Sequence, residues 1–183
     1  FPELGEWIIR EAVYAAKEIL KKNPDFVMNI NLSYTQLEKP DFADMVFRIL
    51  EEMDYPAEHI CFEVTERCRL LDIDLLKNVI ANLKSRGILV ALDDFGTGFS
   101  SVSIVKDLPF DIIKIDRSFI DKICDNQKTY EIVKNIVKMA RDLKIGVIAK
   151  GVDSEQQKEF LLGLKCFYMQ GRLFGEPEYF SIG

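Results

Sequence analysis

Residues 89–101 read LVALDDFGTGFSS, a short apolar run that leads into paired carboxylates and then into glycines. Leu89, Val90, Ala91 and Leu92 show no alternation of polar and apolar side chains, which predicts a strand covered on both faces, as in a parallel sheet. Asp93 and Asp94 fall where that strand is expected to end. Gly96 and Gly98 suit a tight turn and a close approach of backbone to a ligand. Adjacent acids are poor core material, because unpaired buried charge is costly. Their hard oxygens suit a divalent cation instead. For an isolated Asp-Asp-x-Gly, a solvated turn in which Asp94 caps the next helix is the simpler account, so the neighbouring strands have to decide.

Working outward, helix and strand alternate. Apolar residues at helical spacing predict a helix over 4–22, closed by Asn23-Pro24. A strand is expected over 26–32 with Asn29 and Asn31 on one face, then a helix over 42–53. A strand over 60–64 runs into Thr65 and Glu66, and a helix over 73–86 ends at Gly87 before the central strand. Beyond it come a short helix over 100–106, a strand over 110–115, and a short and a long helix parted by a loop near Asn126. A strand over 144–149, a helix over 154–162 and a strand over 166–169 complete the pattern. Six strand–helix alternations with short connections predict an α/β fold, a parallel sheet with right-handed crossovers. Such regularity favours a modified TIM-type β/α barrel over an open doubly wound sheet. A full barrel has eight strands and typically about 250 residues, so about six of the eight are expected here, in a single domain spanning 1–183.

The polar residues then fall into line. Asn31, Glu63, Asp93, Lys114, Lys150 and Gln170 each stand at or near the carboxyl end of a different predicted strand, where barrel loops build active sites. Composition narrows the partners. A hydrophobic fraction of 48%, a charged fraction of 30% and a net charge of −6 describe a globular domain. They argue against a nonspecific nucleic-acid or membrane-surface binder, which needs a basic face. Cys61, Cys68, Cys124 and Cys166 have no CxxC spacing and His59 is the only histidine, which argues against zinc and fits reduced core thiols in a cytoplasmic setting. No apolar run approaches the roughly 18 residues of a membrane span and no signal peptide is visible. The start at Phe1 suggests a fragment of something longer.

At this point the chain closely resembles the EAL-type cyclic di-GMP phosphodiesterase domain. The resemblance is carried by NINLS (29–33), EVTE (63–66), DDFGTGFSS (93–101), LPFDIIKID (108–116) and Gln170-Gly171 with the later Pro177. It implies a modified TIM barrel, cyclic di-GMP as ligand, and two Mg²⁺ or Mn²⁺ ions that activate a water to give linear pGpG. It makes Asn31, Glu63, Asp93 and Asp94 metal ligands. Lys114 would hold the nucleophilic water or a phosphate oxygen, Glu66 would brace the DDFGTG loop, and Gln170 would support the site. Homodimers, a protein partner and an accessory signalling domain are further implied.

Two departures qualify the resemblance. The family's Glu-Ala-Leu strand, with a metal-binding Glu and a ligand-binding Arg, is not in the chain; Phe1-Pro2 looks like the remnant of the segment after that strand. The family's Glu-Gly-Val-Glu reads Lys150-Gly151-Val152-Asp153, so a lysine replaces the expected metal-binding general base. An ammonium has no lone pair to accept a proton, and loss of a general base typically costs about 10²–10⁴ in rate. Lys150 is expected either to pair with Asp93 or Glu63, or to turn outward into solvent. The chain therefore reads as a degenerate, non-catalytic EAL-type module that binds cyclic di-GMP or a protein partner. The alternative, an active metal-dependent phosphodiesterase, draws on the intact Asn31, Glu63, Asp93 and Asp94.

Overall fold

Residues 2–98, 101–176 and 178 are described in the computed structural model. Along the chain lie α1 (Pro2–Leu20), β1 (Met28–Leu32), α2 (Tyr34–Leu37), α3 (Phe42–Glu52), β2 (Ile60–Thr65), α4 (Ile73–Ser85), β3 (Leu89–Phe95) and α5 (Ser101–Asp107). They continue with β4 (Ile112–Ile115), α6 (Arg117–Ile120), α7 (Gln127–Asp142), β5 (Gly146–Lys150), α8 (Glu155–Gly163) and β6 (Tyr168–Gln170). Every neighbouring pair is parallel. Spatial order follows chain order from β1 to β6, with none of the reversal that marks a doubly wound sheet. The sheet curls into a half-barrel, an incomplete TIM-type barrel.

All the predicted elements between residues 2 and 170 are present, but four strands begin about two residues later than their apolar runs suggest. For two of them the cause lies in the helix ends. After α7 the chain turns through Lys144 at φ 61°, with the Ile145 N–H donating to the Ala140 carbonyl at 2.8 Å; after α8 it turns through Lys165 at φ 63°, with the Cys166 N–H donating to Leu161. The same closure ends α3 at Asp54. These are left-handed helix caps, usually made by glycine, and here three of them use side-chain-bearing residues that leave no glycine signal. The four-residue helix α2 and two 3₁₀ turns, Ala57–His59 and Glu66–Leu70, are too short to show a period. Phe99, Ser100 and Pro177, which the motif reading includes, lie outside the described residues.

The expectation of a doubly covered central strand holds: Val90, Ala91 and Leu92 are fully buried. One core cluster joins α1, α3 and α4 to β1–β4, and a second packs α6, α7 and α8 on β4 and β5. Cys61, Cys68 and Cys166 are free, buried thiols, pushed up by burial to about 12, 11 and 11, inert at neutral pH. At the centre of the first cluster the Phe62 ring meets Phe42 edge-on at 5.8 Å. Phe62→Ala should cost about 3–5 kcal/mol in urea unfolding; a loss under about 1 kcal/mol would contradict this view of the core.

Candidate functional site

Because all six strands are parallel, their carboxyl ends share one rim of the half-barrel, and Asn31, Glu63, Asp93, Lys114, Lys150 and Gln170 all stand toward it. Strand register places Asn31 opposite Glu63 and Lys150 opposite Gln170. Asn31 and Gln170 are exposed, whereas Glu63, Glu66, Asp93 and Lys114 are the buried charged residues among those described.

The strand β3 does not end at the paired acids. It continues to Phe95, and the register to β4 slips between Leu92 and Phe95, so that Asp93 and Asp94 together face the single residue Lys114. Successive side chains of a regular strand point to opposite faces. A bulge breaks that alternation, and Asp94 takes a left-handed φ of 54° to complete it. The result is two adjacent carboxylates turned toward one point.

Two lysines meet these acids, each reaching over an intervening strand. Lys114 Nζ on β4 donates to Glu63 Oε1 on β2 at 2.5 Å. Lys150 Nζ on β5 donates to Asp93 Oδ1 at 2.6 Å and Asp94 Oδ1 at 2.7 Å on β3. Strands two apart in a flat sheet lie about 9–10 Å apart, a span that the curl of the half-barrel shortens. The first pair is nearly dry, with side chains 5% and 6% exposed; Lys150 is 22% exposed. Burial works against the Lys150 charge, but its hydrogen bonds to Asp93 and Asp94 outweigh that and raise its pKa. Lys150 thus turns inward, with both aspartates rather than with Glu63, which Lys114 already holds.

Glu66 stands beneath the turn that follows β3. The Gly96 N–H donates to Glu66 Oε1 at 3.1 Å, and a Cβ at Gly98 would stand 2.0 Å from Glu66 Oε2. Gly98 therefore admits the carboxylate where any side chain would expel it.

A second charged group, Asp153 of the same Lys-Gly-Val-Asp stretch, holds the loop that follows Lys150 through partners no sequence pattern announces. Asp153 accepts from Arg117 Nη2 at 2.6 Å, from the Arg172 N–H at 3.0 Å and from Arg172 Nη2 at 2.7 Å. Arg172 holds the Asp153 carboxyl down at about 2. The stem of Arg117 lies over Gly151, and Gly171 packs on the backbone of Val152. The ends of β5 and β6 are thereby fixed to each other and to α6. The partners lie 36 and 19 residues from Asp153, beyond any local spacing rule.

Asn31, Glu63, Asp93 and Asp94 offer the hard oxygens that Mg²⁺ or Mn²⁺ prefers. As arranged, they do not fit a pair of such ions. Glu63, Asp93 and Asp94 each already face an ammonium, and among the described residues no three His, Cys, Asp or Glu side chains are grouped to hold a metal. An ammonium about 4 Å from a divalent ion is repelled by about 8 kcal/mol at an effective dielectric near 20.

A family model described as "EAL domain" matches residues 1–177. The chain is 36% identical over 175 residues to "Signaling protein YkoW" of Bacillus subtilis, covering 96% of this chain and 22% of that protein. Among solved structures, the EAL domain of Mycobacterium smegmatis DcpA superposes with a TM-score of 0.90 at 34% identity, covering 96% of this chain and 79% of that one. The MucR phosphodiesterase in complex with c-di-GMP gives 0.87 at 35% identity, covering 96% and 71%; the curated relative named MucR is from Pseudomonas aeruginosa. The chain spans between a fifth and a third of the length of the curated relatives it matches.

Removing one partner of a buried ion pair strands the other, at about 3–5 kcal/mol. Lys114→Met should therefore lower unfolding stability by about that much, and adding Glu63→Gln should recover most of it; additive losses would contradict the pairing. Asp153 carries its own pH signature. Its ordinary value is 3.8 and its folded value about 2, so its contribution is present above pH 3.8 and is lost as pH falls through about 2. The melting temperature of Asp153→Asn should lie below that of the parent at pH 7 and converge with it near pH 2. A gap of constant size at both would rule out the ionised clamp.

Proposed function

The chain belongs to the EAL domain family, and from that premise we propose that it is a non-catalytic signalling module whose rim binds cyclic di-GMP. The observation that carries this reading is Lys150, whose ammonium sits between Asp93 and Asp94 at 2.6 and 2.7 Å. The resemblance places a carboxylate at that position, as metal ligand and general base. An ammonium can neither coordinate a cation nor accept a proton. With the carboxylates paired to lysines rather than to metal, the rim keeps its shape and loses the chemistry.

What remains is suited to recognition. Asn31 and Gln170 are exposed on the rim, where their amides offer hydrogen bonds to a phosphodiester. Support for cyclic di-GMP as the ligand comes from the similar phosphodiesterase solved in complex with it. Asp116 at the start of α6 accepts from the Ser118 N–H at 2.9 Å and fixes the backbone after Lys114. A second reading, an active phosphodiesterase, is favoured by the retention of Asn31, Glu63, Asp93 and Asp94.

Incubating the full-length protein with cyclic di-GMP and Mn²⁺, with calorimetry on the same sample, separates the two. We expect binding without pGpG, at least about 10²-fold below the rate of the Lys150→Glu variant. Production of pGpG by the unmodified protein at the rate of that variant would establish the second reading, and no binding would remove cyclic di-GMP as the ligand.

A further inference from the structure

The bulge in β3 poses an electrostatic problem that the fold has to solve. It turns two adjacent carboxylates toward one point, at the expense of a left-handed Asp94. Like charges so placed repel each other unless a cation stands between them. Among the described residues the one cation within ion-pair distance of Asp93 and Asp94 is Lys150. Lys114 is committed to Glu63, so the three carboxylates face two ammoniums, and neither lysine is interchangeable with the other.

The position of Lys150 is built. It is the last residue of β5, in register with Gln170, and the N–H groups of Gly151 and Val152 donate to the Gln170 carbonyl at 2.7 and 3.0 Å. Arg117 covers Gly151, and Asp153 ties the loop to Arg117 and Arg172. The backbone that launches the side chain is held from three directions. The side chain is 22% exposed, so a small ion from solvent can reach the same point when the side chain is cut away.

We propose that Lys150 is a tethered counter-ion that stands in for a divalent cation at Asp93 and Asp94, so that the bulged rim stays assembled whether or not metal is present. The proposal goes beyond the signalling reading in naming what holds the rim together, and its test uses no cyclic di-GMP, so either can fail alone. A tethered ion can be exchanged for a free one: cutting the side chain away should make the rim depend on dissolved metal.

Hydrogen exchange of the peptide spanning 89–98, followed in the full-length protein, reads this locally. In the unmodified protein, protection should be the same in chelator and in Mn²⁺. In Lys150→Ala it should fall at least about tenfold in chelator and return with Mn²⁺. Lys150→Met, which keeps the stem and removes the charge, should behave as Lys150→Ala does and covers the case in which the shorter variant fails to fold. Equal gains with Mn²⁺ in the parent and the variants would overturn the proposal, as would a loss in the variants that Mn²⁺ does not restore.

Discussion

One ammonium between two adjacent carboxylates is the constraint on which the rim depends. Asp93 and Asp94 are neighbours in sequence, and a regular strand would send them to opposite faces. Turned together by the bulge, they need a cation, and Lys150 provides it from two strands away. The same logic operates one strand over, where Lys114 crosses from β4 to Glu63 on β2. These two crossing links join alternate strands, β2 to β4 and β3 to β5, across the concave side of the sheet. They couple charge pairing to curvature: flattening the sheet would separate both links.

Around that centre, the surrounding loops serve placement. Glu66 receives the Gly96 N–H and fills the space that Gly98 leaves open, which holds the turn after the aspartates. Asp153 draws Arg117 and Arg172 together over the end of β5. Both acids act on backbone position. Removing such a residue loosens the site without emptying it, a different failure from removing Lys150 itself.

Much of this was legible in the sequence. Helix–strand alternation and the covered run at 89–92 pointed to a parallel barrel-type sheet, and the polar residues at strand ends pointed to one rim. That reasoning works because period and strand direction are local properties of the chain. The bulge was not legible: Asp-Asp-Phe looks like a strand end, and only the β4 partner shows that the strand continues past it. The choice of Lys150 partners was hidden for the same reason, since two acids on one strand share an ammonium only once the bulge has turned them. The Asp153 clamp and the left-handed caps at Asp54, Lys144 and Lys165 rest on distant pairs or on residues that do not advertise the conformation.

The central claim is that a lysine, in place of metal, stands as counter-ion between the paired aspartates. The most direct measurement is an anomalous-scattering map from crystals of the protein grown in Mn²⁺. The account predicts Lys150 Nζ between Asp93 and Asp94, with no manganese peak at that point. Two manganese peaks among Asn31, Glu63, Asp93 and Asp94, with Lys150 turned out to solvent, would contradict it.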